Sequence, residues 1–165
     1  PQALRQRLIG CRIVMPMYED IPQELRDNMR FITSLSVPVS WRRQYCGVFE
    51  ARHGGVIYYL LDNQYYFKRK GLYGHYDDAE RFSFLSRAAL EMLPYIDFKP
   101  DIIHCNDWQT ALVPIYYSLF YGIRGSRPCL PFIIFSTRVN TVWSFWRTFW
   151  ACRSMTPLSS NLTAA

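Results

Sequence analysis

Hydrophobic periodicity switches back and forth along residues 1–123, and that alternation constrains the fold more than any other feature of the chain. Cys11 to Met15 is a short apolar run stopped by Pro16, as expected of a buried strand. Phe31 to Val39, Gln44 to Glu50 and Val56 to Leu61 also read as strands, and Gly54-Gly55 is a good hairpin turn between the last two. Elsewhere the spacing is helical. Ala3 to Leu8 reads as a helix with an amphipathic pattern (Leu4, Leu8, Ile9), and the polar stretch Asp20 to Met29, with Pro22 near its start, as a short helix or turn. Phe82, Leu85, Ala89 and Leu93 fall at helical spacing behind Asp77 or Asp78, either of which can cap a helix running to about Met92. Ile102 to His104 is another short apolar strand, and Trp108 to Tyr121 a helix with Gly122 at its end. Strand, long helix, strand, helix predicts an α/β fold with a parallel sheet, plus a β-hairpin excursion.

Half of the 165 residues are hydrophobic and 17% are aromatic, which excludes a disordered or collagen-like segment. The formal net charge of +6 invites a nucleic-acid or membrane-surface reading, but the charges are not spread evenly. Residues 1–123 hold 14 basic and all 13 acidic residues. Beyond them come Arg124, Arg127, Arg138, Arg147 and Arg153, with no Lys and no acid, together with Trp143, Trp146 and Trp150. A break of that kind marks a boundary, so neither nucleic acid nor a membrane is expected as a partner. The five cysteines show no CxxC pair, and Cys11, Cys46 and Cys105 read as reduced thiols of a cytosolic protein. Cys105 beside His104 lacks a second ligand pair at zinc-like spacing, so no metal is expected. The chain begins without Met, at Pro1 within a helical pattern, and is expected to be a fragment.

In sheets of this class ligands lie beyond the carboxyl ends of the strands, so the loops that follow strands are where chemistry is sought. The stretch DNQYYFKRKGLYGHYDD, Asp62 to Asp78, is dense in tyrosine, basic residues and aspartate around Gly71 and Gly74. Rings beside carboxylates suit carbohydrate, whose CH faces stack while its hydroxyls need hydrogen-bond partners; a surface loop rich in Tyr for packing is the alternative. A second loop, HCNDWQT from His104 to Thr110, lies at a strand end and helix start, where Asn106 or Asp107 can cap and the exposed amides favour an anionic group. Trp108 there would pack, and His104 also fits a satisfied core histidine.

The same residues carry a resemblance. WRRQYCGVFE, the block DNQYYFKRKGLYGHYDDAERFSFLSRAALEML and FKPDIIHCNDWQTALVP closely resemble the N-terminal catalytic domain of bacterial glycogen synthases and plant starch synthases, and CRIVMPMYEDIP resembles that family's second strand and following loop. The resemblance covers Pro1 to about Gly122. It implies a Rossmann-like parallel sheet with helices on both faces plus the β-hairpin excursion, the N-terminal half of a GT-B enzyme, cytoplasmic and bacterial, that transfers glucose from ADP-glucose with retention to the non-reducing end of an α-1,4-glucan, without metal or cofactor. Asp77 matches an aspartate at the family's sugar-binding cleft. His104, Asp107 and Trp108 match its HxHDW motif, but the second His is Asn106, which cannot carry a proton at neutral pH and retains only the capacity to hold a sugar hydroxyl or a backbone carbonyl. Gln109 and Thr110 are expected on the same wall, and Tyr73 and Tyr76 as platforms for the acceptor glucan.

The resemblance also implies what lies outside this sequence. The family's Lys-x-Gly-Gly-Leu-Gly-Asp loop, whose glycines admit the nucleotide sugar and whose Lys meets its phosphates, precedes the matching region, and its C-terminal domain follows it. The polypeptide alone is therefore expected to be inactive, and a non-enzymatic remnant that binds glucan is the alternative. After the last helix the family continues with a sequence like KTVFTIHNIQYQGKYGLELLEDVLGMP. Written as AAG ACC GTG TTT ACC ATT CAT and read one base late, its start gives Arg-Pro-Cys-Leu-Pro-Phe, which are Arg127 to Phe132. In the same way Ser136 to Asn140 recover QYQGK, and Val142 to Arg153 recover GLELLEDVLGMP. Residues 124–165 are thus expected to be a frameshifted, non-native tail, in place of the amphipathic membrane-surface helix that Trp143 to Trp150 would otherwise suggest. Within it Pro131 to Phe135, PFIIF, is apolar enough to stand in the sheet as a strand.

Overall fold

The computed structural model describes residues 1–121 and 132–135. Four strands, β1 (Arg12–Pro16), β2 (Arg30–Val39), β3 (Arg42–His53) and β4 (Val56–Asp62), form one sheet in the order β1-β4-β3-β2. Two tight hairpins make the antiparallel part. Gly54 and Gly55 take φ of 55° and 72°, the left-handed pair that matches the twist of the flanking strands, and His53 closes against Val56. The other turn is Ser40-Trp41, with Ser40 at φ 53° and Val39 facing Arg42. The chain returns in parallel only at β1, which pairs with β4 from Arg12 opposite Ile57 to Pro16 opposite Leu61. A second, two-stranded parallel sheet joins β5 (Ile103–Asn106) to β6 (Phe132–Phe135).

The α/β expectation therefore holds, with a mixed sheet in which the hairpin excursion supplies half the strands. Phe132–Phe135, within PFIIF, does stand as a strand, while the rest of the tail, including Trp143 to Trp150, lies outside the described residues. Short helices α1 (Gln2–Gln6), α2 (Gln23–Asp27) and α3 (Gln64–Phe67) connect the strands, and α4 (Asp78–Glu91) is the long helix. At the amino end Leu4, Leu8 and Ile9 are exposed, so the amphipathic stripe read there packs against no core among the described residues.

α4 lies against the sheet, and the main core forms between them: Val37, Cys46, Val48, Tyr59 and Leu61 from the strands, Phe82, Phe84, Leu85, Ala88 and Met92 from the helix and its end. Each large apolar side chain buried there contributes about 1.5–3 kcal/mol. A smaller cluster, Leu90, Cys105 and Val113 with Tyr116, Tyr117 and Tyr121 beside it, joins α4 to β5 and the last helix.

That last helix is not the unbroken one the spacing predicts. A 3-10 turn spans Trp108–Thr110, an α-helical turn α5 spans Val113–Tyr116, and a π turn spans Tyr117–Tyr121. Pro114 has no N–H to give and its ring blocks the preceding turn, so the helix must restart with Pro114 in its first turn. Its end is fixed by Arg87 of α4, whose guanidinium lies 3.9 Å from the Phe120 ring centre and bonds Glu91 at 2.8 Å.

Candidate functional site

The loop after β4 starts with a fixed point. Asn63 is 3% exposed; its Oδ1 accepts from the Tyr66 amide at 3.0 Å, capping α3, and its Nδ2 donates to the Tyr45 carbonyl of β3 at 2.7 Å. Tyr66 and Phe67 follow it into the core, where both rings meet Phe84, at 5.1 and 6.1 Å between centroids. The aromatic density of this loop is thus divided between two uses. Tyr66 and Phe67 serve packing, and Tyr65, Tyr73 and Tyr76 remain exposed.

Past Phe67 the segment is closed by charge. Arg69 Nη1 donates to Asp77 Oδ1 at 2.6 Å and Nη2 to Oδ2 at 2.8 Å, a two-pronged pair across eight residues. Asp77 stands at the N-cap position of α4, yet its side chain makes no capping hydrogen bond, contrary to one of the two capping roles the sequence allows. Burial alone would favour its neutral form, but the hydrogen bonds and charge of Arg69, with help from its own backbone N–H and Arg81, hold its carboxyl below the usual range. Asp78 does the bracing instead. Its Oδ2 accepts from the amides of Gly74 and His75 at 2.6 and 3.2 Å, and its Oδ1 from Arg81.

Arg81 is fully buried. Its Nε donates to the Tyr66 carbonyl at 2.7 Å, its guanidinium lies 5.5 Å from the Phe67 ring centre and 5.3 Å from that of Phe82, and Nη2 has no hydrogen-bond partner among the described residues. Nearby, Tyr66 and Arg42 both donate to Glu80 Oε1, which joins α4 to the start of β3.

The loop after β5 is held by shape. Within β5 Cys105 is buried while His104 and Asn106, on the opposite face by strand alternation, are exposed. Asp107 follows with φ 60° and ψ −176°, a region normally left to glycine, and its carboxylate accepts from the next amide, Trp108 N, at 2.7 Å. The capping expectation at this position is met by Asp107. The first amide offered to an anion is therefore occupied by the chain's own carboxylate. Thr110 Oγ1 donates back to the Asn106 carbonyl at 2.9 Å, and buried Ser86 of α4 donates to the Gln109 carbonyl at 3.4 Å.

Trp108 joins the two loops. Its ring meets Phe82 edge-on at 4.9 Å and Tyr73 edge-on at 6.4 Å. Of the residues singled out in the sequence, Tyr73 and Trp108 are thus in contact, Asp77 and Gln109 lie at the start and side of α4, and His104 and Asn106 share the open face of β5. Tyr76, 95% exposed, stands apart from that pair. Arg69, Asp78, Arg81 and Ser86 are not legible as site residues from spacing, because each acts through a tertiary hydrogen bond.

The thiols are quiet. Burial pushes Cys46 up to about 12 and Cys105 to about 11, and all three described cysteines are free. Among the described residues no three His, Cys, Asp or Glu side chains converge as a metal cage, and no helix is long and apolar enough to cross a membrane.

A family model of the starch synthase catalytic domain matches residues 1–152. The glycogen synthase of Geobacillus thermodenitrificans (strain NG80-2) is 54% identical over 127 residues, which cover 73% of this chain and 26% of that protein. That of Clostridium botulinum (strain Alaska E43 / Type E3) is 51% identical over 121 residues, 73% of this chain and 25% of that protein. Among solved structures, the catalytic domain of starch synthase IV from Arabidopsis thaliana, bound to ADP and acarbose, is similar with a TM-score of 0.65 and 34% identity, over 72% of this chain and 25% of that one. The chain spans about a quarter of the length of the relatives it matches.

Proposed function

Because the chain belongs to the starch synthase catalytic-domain family, we propose that it is part of a retaining glycosyltransferase of GT-B architecture that moves glucose from ADP-glucose to the non-reducing end of an α-1,4-glucan. The observation that carries this reading is the meeting of Tyr73 with Trp108, which brings the aromatic loop and the HCNDWQT loop together. Exposed rings beside an ionised carboxylate offer a glucose unit a stacking face and a hydrogen-bond acceptor. The starch synthase IV structure holds ADP and acarbose, a nucleotide and a glucan-like sugar, which supports both substrate classes.

In this reading Asp77, His104, Asn106, Asp107, Trp108, Gln109 and Thr110 line the sugar side of the cleft, and Tyr73 and Tyr76 carry acceptor glucan. Asn106 holds a sugar hydroxyl without exchanging a proton. The bacterial glycogen synthases that the chain resembles support a bacterial cytoplasm as the working place of the parent enzyme in this reading. The isolated 165 residues, which span about a quarter of the length of the relatives they match, are inactive in transfer. Incubation with ADP-glucose and glycogen should yield no chain extension, while glucan-affinity electrophoresis should retard the chain, and Tyr73→Ala and Tyr76→Ala should reduce that retardation. Detectable transfer would overturn the inactivity. Unretarded migration of the unsubstituted chain would overturn glucan binding.

We also infer that residues from about Gly125 onward are translated one base out of frame. The break in charge supports this, as do the matched shares of 72–73%, close to the share that residues 1–123 make up; the family model itself runs on to residue 152. The source DNA should show an FTIHN-encoding segment one base away from the translated frame. A gene with no such segment in any frame would contradict it.

A further inference from the structure

We propose that Arg69 is a positioning residue for the glucan site, one that fixes the Asp77 carboxylate and closes the segment between the two so that Tyr73 stands against Trp108. This rests on the glucan reading above. All three guanidinium nitrogens of Arg69 are engaged: Nη1 and Nη2 take the two oxygens of Asp77, while Nε and Nη2 donate to the Tyr65 carbonyl at 3.1 and 2.8 Å. The guanidinium also lies 5.6 Å from the Tyr65 ring centre. Arg69 is therefore anchored to α3 on one side and to the first residue before α4 on the other, and the pair is well covered, with side chains 21% and 9% exposed.

The segment that this pair closes has little else to set its shape. Gly71 and Gly74 take φ of 79° and 99° with nothing closer than 4.0 Å to a would-be Cβ, so they are there for backbone conformation and not for space. Leu72, Tyr73 and Tyr76 are exposed, and the main-chain ties of the segment are those of Gly74 and His75 to Asp78. A chain with two such glycines has many open conformations, and the clamp selects the one in which Tyr73 reaches Trp108 at 6.4 Å. Lysine cannot replace this grip, because a single ammonium does not match both oxygens in one plane.

The test follows amide hydrogen exchange in residues 70–76 and maltoheptaose binding in the chain itself, in Arg69→Ala, Arg69→Lys and Tyr73→Ala, and in the double variant. Loss of the clamp should speed exchange in 70–76 and weaken maltoheptaose about tenfold, the scale of one charge-assisted hydrogen bond. Arg69→Lys should restore only part of both. Once Tyr73 is gone, removing Arg69 should cost clearly less than in the unsubstituted chain, since part of its effect passes through that ring and only its hold on Asp77 remains. Unchanged exchange and affinity in Arg69→Ala, or full additivity with Tyr73→Ala, would overturn the clamp while leaving the glucan reading intact. If the unsubstituted chain ignores maltoheptaose although Arg69→Ala still speeds exchange, the glucan reading falls and with it the positioning role, leaving a purely structural pair.

Discussion

The two loops that make the candidate site are held in place by different physics. After β4 the chain is pinned by ions: Arg69 on Asp77, Arg81 on Asp78, and Asp78 on the amides of Gly74 and His75. After β5 it is pinned by a turn and a ring, with Asp107 in a left-handed conformation and Trp108 seated against Phe82. The difference teaches which changes each loop tolerates. A loop held by charge loses its shape when one charge is removed, whereas a loop held by a packed ring loses it when volume is removed.

The largest effect should come from Arg81→Ala. It takes the Arg81 donors from Asp78 Oδ1 and from the Tyr66 carbonyl and empties a fully buried position, and losing one partner of a buried pair costs about 3 kcal/mol. Urea unfolding measures it, and a loss below about 1 kcal/mol would mean that packing holds this loop too. Trp108→Ala should follow, at about 2 kcal/mol, because the ring is only half-buried. Its effect should spread to Tyr73 and Phe82 while leaving the Arg69–Asp77 pair intact, which nuclear magnetic resonance of the Arg side chains would show.

Asp77→Asn sharpens the comparison through pH. Its folded-state pKa is lowered, so the pair stabilises the fold fully above the unfolded carboxyl value of about 3.9 and loses that contribution as pH falls through the folded value. The substituted chain should therefore be less stable by about 1 kcal/mol at pH 7, and the gap should close as pH falls below the unfolded carboxyl value. A gap that stays constant with pH would show that the carboxylate's charge is not what holds the loop. The smallest effect belongs to Tyr76→Ala, which at 95% exposure should leave stability unchanged within about 0.5 kcal/mol while glucan retardation falls.

These regions also differ in how far the sequence reveals them. β1, β4 and their neighbours follow from hydrophobic runs, and the Gly54-Gly55 turn from its glycines, because those signals are local. The Ser40-Trp41 turn carries no glycine or asparagine, so its positive φ has no signature in composition. Pro114 is the visible sign that helix 108–121 must restart, outweighed in a spacing-based reading by the apolar pattern around it. Tyr66 and Tyr65 are adjacent and chemically identical, yet one is fully buried and the other is exposed, a division set by tertiary partners of Tyr66 such as Phe84 and Glu80. Arg69 sits between two lysines and reads as one of a solvated trio; what distinguishes it is a carboxylate eight residues away.

The most direct test of the central claim, that the two loops together form a glucan site, is a titration with maltoheptaose that follows the indole N–H resonances. Trp108 lies at the junction of the loops and Trp41, 86% exposed at the β2–β3 turn, serves as an internal reference. The expected result is a saturable shift of Trp108 that Tyr73→Ala diminishes, with Trp41 still. A Trp41 shift without one at Trp108, or no shift at all, would contradict the account.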